Sequence, residues 1–194
     1  MLTAGFAGLV NFIDVSFINI GEQTARGIDY NTRFVFSFDN PGIELGWTIA
    51  ATQQLEQAKQ IFSVDDRDDN LGEIGTPEWR LSSTLSLFFR NWEFLMQNRY
   101  IGSGEQDNLQ DFAARKFAPV LSRNVAWVDS VWYTDMSITY WQDSFSITGG
   151  VSNVFDQGPP LISSGEGPNR NNAVTSSGYD LFGRTFFLTA KIGF

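Results

Sequence analysis

Apolar residues recur at every second position over long stretches of this chain. From the C-terminus backwards, Phe194, Ile192, Ala190, Leu188 and Phe186 alternate with Gly193, Lys191, Thr189, Phe187 and Thr185. Upstream, Trp79, Leu81, Leu85, Leu87 and Phe89 oppose Arg80, Ser82, Thr84, Ser86 and Arg90. Trp92, Phe94, Met96 and Tyr100 oppose Glu93, Gln97 and Arg99, and Phe145, Ile147 and Val151 oppose Ser144, Ser146, Thr148 and Ser152. Ile28, Tyr30, Phe34, Phe36 and Phe38 oppose Asp29, Asn31, Arg33 and Ser37. A period of two sustained over about ten residues is a strand signal, in runs longer than the usual soluble strand of about five or six.

This pattern predicts eight strands, at 11–20, 24–38, 42–55, 79–90, 91–101, 129–141, 143–155 and 179–194, behind a short lead-in over residues 1–10. Their connections alternate in length. Asp39-Asn40-Pro41-Gly42, the Arg90/Asn91 junction and the Gln142 junction are tight, whereas 56–78, 102–128 and 156–178 are long. Asn19 to Thr24 is the one short link on the long-loop side. Long loops count against a compact soluble domain, but an outer-membrane barrel carries short periplasmic turns and long extracellular loops.

Aromatic spacing supplies a second test. On the apolar parity Trp79 and Phe89 are ten residues apart, Trp92 and Tyr100 eight, Trp132 and Tyr140 eight, and Phe182 and Phe194 twelve. A tilted strand converts such intervals into roughly 20–30 Å, which brackets the apolar band of about 25 Å that aromatic girdles border in membrane barrels. Any single pair could instead be core of a soluble β-sandwich. Repetition at one spacing, in strands this long, points to the bilayer.

Composition narrows the function. The chain has 194 residues, a formal net charge of −9, 18 Phe, 6 Trp and 5 Tyr, and neither Cys nor His. Disulfides, thiolate zinc sites, a Cys nucleophile and a His base are thereby excluded. Without a basic cluster, nothing would neutralise a row of phosphates, which argues against nucleic-acid binding. No apolar run approaches the roughly 18 residues of a transmembrane helix. The opening Met1-Leu2-Thr3-Ala4-Gly5-Phe6 has no basic region ahead of its apolar residues and does not read as a secretory signal.

The ordered motifs resemble one family. They are "YTDMSITYW" with Asp135 and Tyr140, "GGVSNVFDQGPPL" from Gly149 to Leu161, and "GYDLFGRTFFLTAKIGF" ending on Phe194. Together they are similar to the end of TonB-dependent outer-membrane receptors. Asn153-Val154-Phe155-Asp156 followed by Pro159-Pro160 resembles the family's Asn-Leu-Phe-Asp motif, which closes the penultimate strand. The final strand, with its Gly-Arg pair and terminal aromatic, resembles the one that outer-membrane assembly machinery recognises. Upstream, "NIGEQTARGIDYNTRFVF" (Asn19 to Phe36) looks like a family strand start, and "GTPEWRLSSTLSL" and "NRYIGSG" match the adjacent hairpin. The likeness runs from about Val10 onward.

That resemblance implies an all-β fold: an antiparallel transmembrane β-barrel segment of about eight strands, the C-terminal portion of a 22-stranded barrel. Residues 11–194 would be that portion, with the plug domain, signal peptide and energy-coupling box absent, so the chain is expected to be a fragment that cannot transport alone. The resemblance further implies a Gram-negative outer-membrane receptor that actively imports a scarce nutrient: a ferric siderophore, cobalamin or an oligosaccharide. Its partners would be the lipid bilayer, the missing plug, TonB driven by the proton gradient, the assembly machinery, and a small-molecule or oligosaccharide ligand. No catalytic, cofactor or metal residue is expected, and no ligand-binding residue transfers, because loops vary with the ligand.

Other candidate sites are weaker. Asp65-Asp66-Arg67-Asp68-Asp69-Asn70 could offer oxygens to calcium, but it lacks the Gly and distal Glu of an EF-hand loop and reads as a solvated loop. The 56–78 loop holds seven acidic and two basic residues, so its net −5 supplies more than half of the chain's −9. Asp29, Arg33, Glu44, Arg80, Arg90, Glu93, Arg99, Asp135 and Lys191 fall on the inward parity and read as ordinary lumen residues facing water or plug. Gly149-Gly150 lies within a strand pattern with no helix after it and is not a phosphate loop. Neither paired carboxylates nor a Ser-Lys arrangement forms a local catalytic constellation, so the chain does not read as an enzyme.

Two alternatives stand beside this reading. Eight strands can close into a complete barrel with a structural or adhesion role, which requires the first and last strands to pair. A soluble β-sandwich could use the six Trp to stack on sugars as a carbohydrate-binding module.

Overall fold

The computed structural model describes residues 21–40, 42–60, 67–105, 127–162, 169–175 and 178–193. Seven of the eight expected strands fall within them, and the eighth, at 11–20, lies outside the described residues. Long strands are β1 (Glu22–Phe38), β2 (Ile43–Gln60), β4 (Trp79–Phe89), β5 (Trp92–Ile101), β8 (Val131–Gln142), β9 (Phe145–Ser152) and β12 (Thr185–Ile192). They form one antiparallel sheet in the order β1-β2-β4-β5-β8-β9-β12, and the two-residue β3 (Asp68–Asp69) pairs with β2. Two further pairs, β6 (Gly104–Glu105) with β7 (Trp127–Val128) and β10 (Asn169–Arg170) with β11 (Ala173–Val174), ornament the loop end. No described helix is long and apolar enough to cross a membrane, which says nothing of a β-barrel.

Register explains why the alternating pattern works. Phe36, Leu45, Leu87, Phe94, Ile138, Gly149 and Leu188 lie in one row across seven strands, each the Cα partner of the next. The row Phe34, Trp47, Leu85, Met96, Met136, Val151, Phe186 runs beside it. Most of these side chains stay exposed, so one whole face of the sheet is an apolar surface without a protein layer over it. Polar side chains on that face pair with one another in two places: Trp47 Nε1 donates to Ser83 Oγ at 2.9 Å, and Thr134 Oγ1 to Asn98 Oδ1 at 2.8 Å. An unpaired polar group there would be costly in an apolar medium.

The opposite face is polar. Ser37, Glu44, Phe88, Glu93, Thr139, Thr148 and Thr189 form one of its rows, with the Thr139 and Thr148 hydroxyls 2.9 Å apart. One crowded point on it is Gly150, where a Cβ would run into the Phe187 ring and meet the Met136 carbonyl oxygen at 2.8 Å. The missing side chain lets Phe187 lie across its neighbour strand.

Strand ends depart from the expected bounds in instructive ways. β2 runs on to Gln60, five residues into the expected loop, and stays paired with β1 through a register shift between Arg26 and Gly27. A Cβ at Gly27 would meet the Gln53 carbonyl oxygen at 2.9 Å, so the bulge depends on glycine. At the other end, β12 begins at Thr185 rather than near Tyr179. Asp180 Oδ1 accepts the Phe182 and Gly183 amides, and Asp156 Oδ1 accepts that of Arg184, so these donors are taken before a ladder could use them. Phe182 consequently sits exposed in a turn instead of marking a girdle, and its intended partner Phe194 lies outside the described residues. Arg90 also differs: it occupies the tight turn with φ 54°, its guanidinium 5.0 Å from the Phe89 ring centroid, and does not join the polar face.

Only a small core exists among the described residues, and it lies at the loop end of the sheet. Ile101, Val128, Val131, Tyr133, Ile162, Val174 and Tyr179 are buried together, with Ile74 against them. A soluble sandwich would need a second large sheet over the apolar face. The described residues contain one large sheet and the two small pairs.

Candidate functional site

The densest polar chemistry sits at the loop end of β8 and β9, around Asn153. Its backbone is in the left-handed region (φ 52°), which Asn tolerates better than most residues, and it is only 1% exposed. Buried polar groups must be paired, and here all are. The Asn153 amide donates to Asp135 Oδ1 at 2.7 Å, and its Nδ2 donates to the Gln157 carbonyl at 2.9 Å and to Asp180 Oδ2 at 2.7 Å. Its Oδ1 accepts the Gln157 amide at 2.9 Å. One residue thus joins the end of β9 to β8 through its backbone amide and to the approach to β12 through its side chain.

Asp156 repeats the device three residues on. It too has a positive φ, 55°, and accepts the Arg184 amide at 2.8 Å. Gly183 (φ 74°) is packed so closely that a Cβ would lie 2.7 Å from Asp156 Oδ1. The long connection between β9 and β12 is therefore clamped at both of its ends.

Between the clamps, that connection folds back onto the polar face. The β10–β11 hairpin turns on Asn171 and Asn172, both with positive φ, as a tight two-residue turn requires. Leu161 bridges to Ala173, and the Val174 amide donates to the Pro160 carbonyl at 3.1 Å. This presses Ile162, Val174 and Tyr179 onto Tyr133, which is fully buried, and the Tyr133 hydroxyl accepts the Asp180 amide at 3.1 Å. Burial, with the Tyr133 phenol beside it, pushes the Tyr179 phenol above its ordinary range, while Arg80 pulls the other way.

The inward charges expected from parity gather below this cap. Arg99 lies 5.3 Å over the Tyr133 ring and 4.0 Å from Asp135, Arg80 donates to the Gly75 carbonyl at 3.1 Å, and Asp29 accepts from Thr52 Oγ1 at 2.7 Å. Asp29, Arg80 and Arg99 line a hollow of roughly 280 Å³ against Gly178 of the folded-back connection. Glu44, Glu93 and Lys191 lie farther toward the tight turns on the same face.

A second hollow, roughly 690 Å³, opens between residues 69–79 and the segments 102–105 and 127–129, with Glu73, Glu78, Glu105, Trp79, Tyr100 and Trp127 in its wall. The acidic run beside it is engaged in ion pairs. Glu56 holds both Arg26 and Arg67, and Lys59 lies 3.1 Å from Asp68. Asp65 and Asp66 lie outside the described residues. Among the described residues no group of carboxylates is arranged to hold a metal ion.

Comparison with known proteins adds one finding. The family model described as "TonB dependent receptor-like, beta-barrel" matches residues 2–154. No curated protein and no solved structure matches the chain. The matched stretch includes Asn153 and stops short of Asp156, Asp180 and β12.

Proposed function

The chain belongs to the TonB-dependent receptor-like β-barrel family, a family of outer-membrane receptors and transporters, and from that premise we propose that it forms part of the wall of an importer in a Gram-negative outer membrane. The observation that carries the reading is the apolar face. Its rows run unbroken across seven strands, with aromatic pairs at two heights, so the face suits hydrocarbon and its borders suit headgroups. Among the described residues no ladder joins β1 to β12, and unpaired strand edges are expensive in lipid. Residues 11–194 are accordingly read as the C-terminal portion of a larger barrel that also surrounds a plug.

In this reading the loop-end hollows and the folded-back connection face the outside of the cell and take part in capturing a scarce nutrient. Ferric siderophores, cobalamin and oligosaccharides are the candidate cargo classes. TonB, energised by the proton gradient, would act on the plug, and the chain itself performs no catalysis. The test is uptake of radiolabelled representatives of each class by cells with and without the gene. Loss of uptake of one class, in a process that an uncoupler also abolishes, supports the proposal. Unchanged, uncoupler-insensitive uptake of all three would overturn it.

A further inference from the structure

We infer that the apolar face carries a seat for one phospholipid acyl chain at Gly149. In the row Phe94, Ile138, Gly149, Leu188 a glycine stands between large apolar side chains and leaves a notch. Trp92, Ile138, Tyr140, Ile147 and Gly149 line the resulting groove of roughly 360 Å³. Crowding does not impose this glycine. A Cβ at Gly149 would meet only Leu188 Cδ1, at an ordinary 3.8 Å, whereas at its neighbour Gly150 it would collide with a ring and a carbonyl. The space at Gly149 is therefore open to an occupant from outside the chain.

The chemistry of the walls selects that occupant. Every lining group inside the groove is hydrocarbon or aromatic face. Polar groups appear at its tight-turn end, where the Tyr140 hydroxyl donates to Gln142 Oε1 at 2.9 Å. An apolar slot with a polar mouth fits an amphiphile whose headgroup lies at the turn end, in the periplasmic leaflet. The groove is continuous with the lipid-facing rows, so an acyl chain reaches it by lateral movement within the bilayer.

This inference rests on the membrane reading, and the experiment separates the two. Outer membranes from cells that produce the protein are supplied with a trace of phosphatidylcholine carrying a diazirine on its acyl chain. After illumination, adducts are mapped by mass spectrometry. Labelling of the Ile138–Ile147 region several-fold above that of Phe34 and Leu85 is expected. Gly149→Leu, which fills the notch, should reduce it to the level of those rows, and Ile138→Ala, which widens the groove, should raise it. Even labelling along the apolar face, unchanged by both variants, overturns the seat and leaves the membrane reading standing. Absence of labelling at Phe34 and Leu85 as well overturns both.

Discussion

Trp92 and Tyr140 are direct partners across the β5–β8 ladder with ring centroids 4.8 Å apart, and eight residues along the same two strands Tyr100 and Trp132 repeat the arrangement at the same separation. One ladder therefore carries an aromatic pair at each border of the apolar band. Tyr140 extends the lower group to Phe145, and Tyr30 stacks on Trp79 near the upper one.

Between those borders, charge should be tolerated on one parity only. Leu85→Arg, on the apolar face, should lower stability in vesicles by about 2–4 kcal/mol, as arginine does near a bilayer midplane. Thr84→Arg, one residue away on the polar face, should cost much less. Urea unfolding followed by tryptophan fluorescence checks the contrast, and equal costs would mean that neither face meets lipid.

Asn153 should not tolerate a charge. Asn153→Asp places a carboxylate where Nδ2 now donates to Asp180 Oδ2, replacing a hydrogen bond with repulsion. We expect a loss of about 1–3 kcal/mol at neutral pH, the cost of leaving buried groups unsatisfied. The repulsion disappears once the two carboxylates share a proton, so the deficit should shrink as pH falls. Comparing unfolding midpoints at neutral and acidic pH tests this.

At Gly150 the expected outcome is a coupled pair. Gly150→Ala alone should destabilise by about 1–3 kcal/mol through overpacking, because its methyl group enters the Phe187 ring. In a Phe187→Ala background the same change should cost less, because only the contact with the Met136 carbonyl oxygen remains. A double-mutant cycle by urea unfolding reads the coupling, and additive effects would contradict it.

The ion pairs at the far end of β2 should matter for loop order more than for global stability. Glu56→Gln releases Arg26 and Arg67. Since such partly exposed pairs contribute about 0–1 kcal/mol, the unfolding midpoint should barely move, while limited proteolysis near Arg67 should accelerate. High salt should reproduce the effect in the unaltered chain.

How much of this was legible in advance follows from range. Alternation is a local property, and it identified the strands, their apolar parity and the eight-residue interval between Trp92 and Tyr100. Arg90 misled because parity counting passes straight through a turn, while a positive φ there reverses the chain. Tyr179 to Arg184 misled because nothing local reveals that Asp156 and Asp180 claim the amides. The Asn153 motif was visible as a resemblance, yet its union with Asp135 and Asp180 depends on segments 18 and 27 residues away. The small core escaped notice because Ile162 and Val174 lie in a stretch without periodicity.

The β1–β2 hairpin, with strands of 17 and 18 residues, is about twice as long as the interval between the aromatic pairs. At about 3.3 Å per residue, some 25–30 Å of paired strand rises past the upper border. The bulge at Arg26/Gly27 and the Glu56 ion pairs lie in that overhang, which on the proposed outer-membrane reading would stand as a stiff mast above the cell surface, within reach of antibodies, phage and proteases that an embedded wall would never meet.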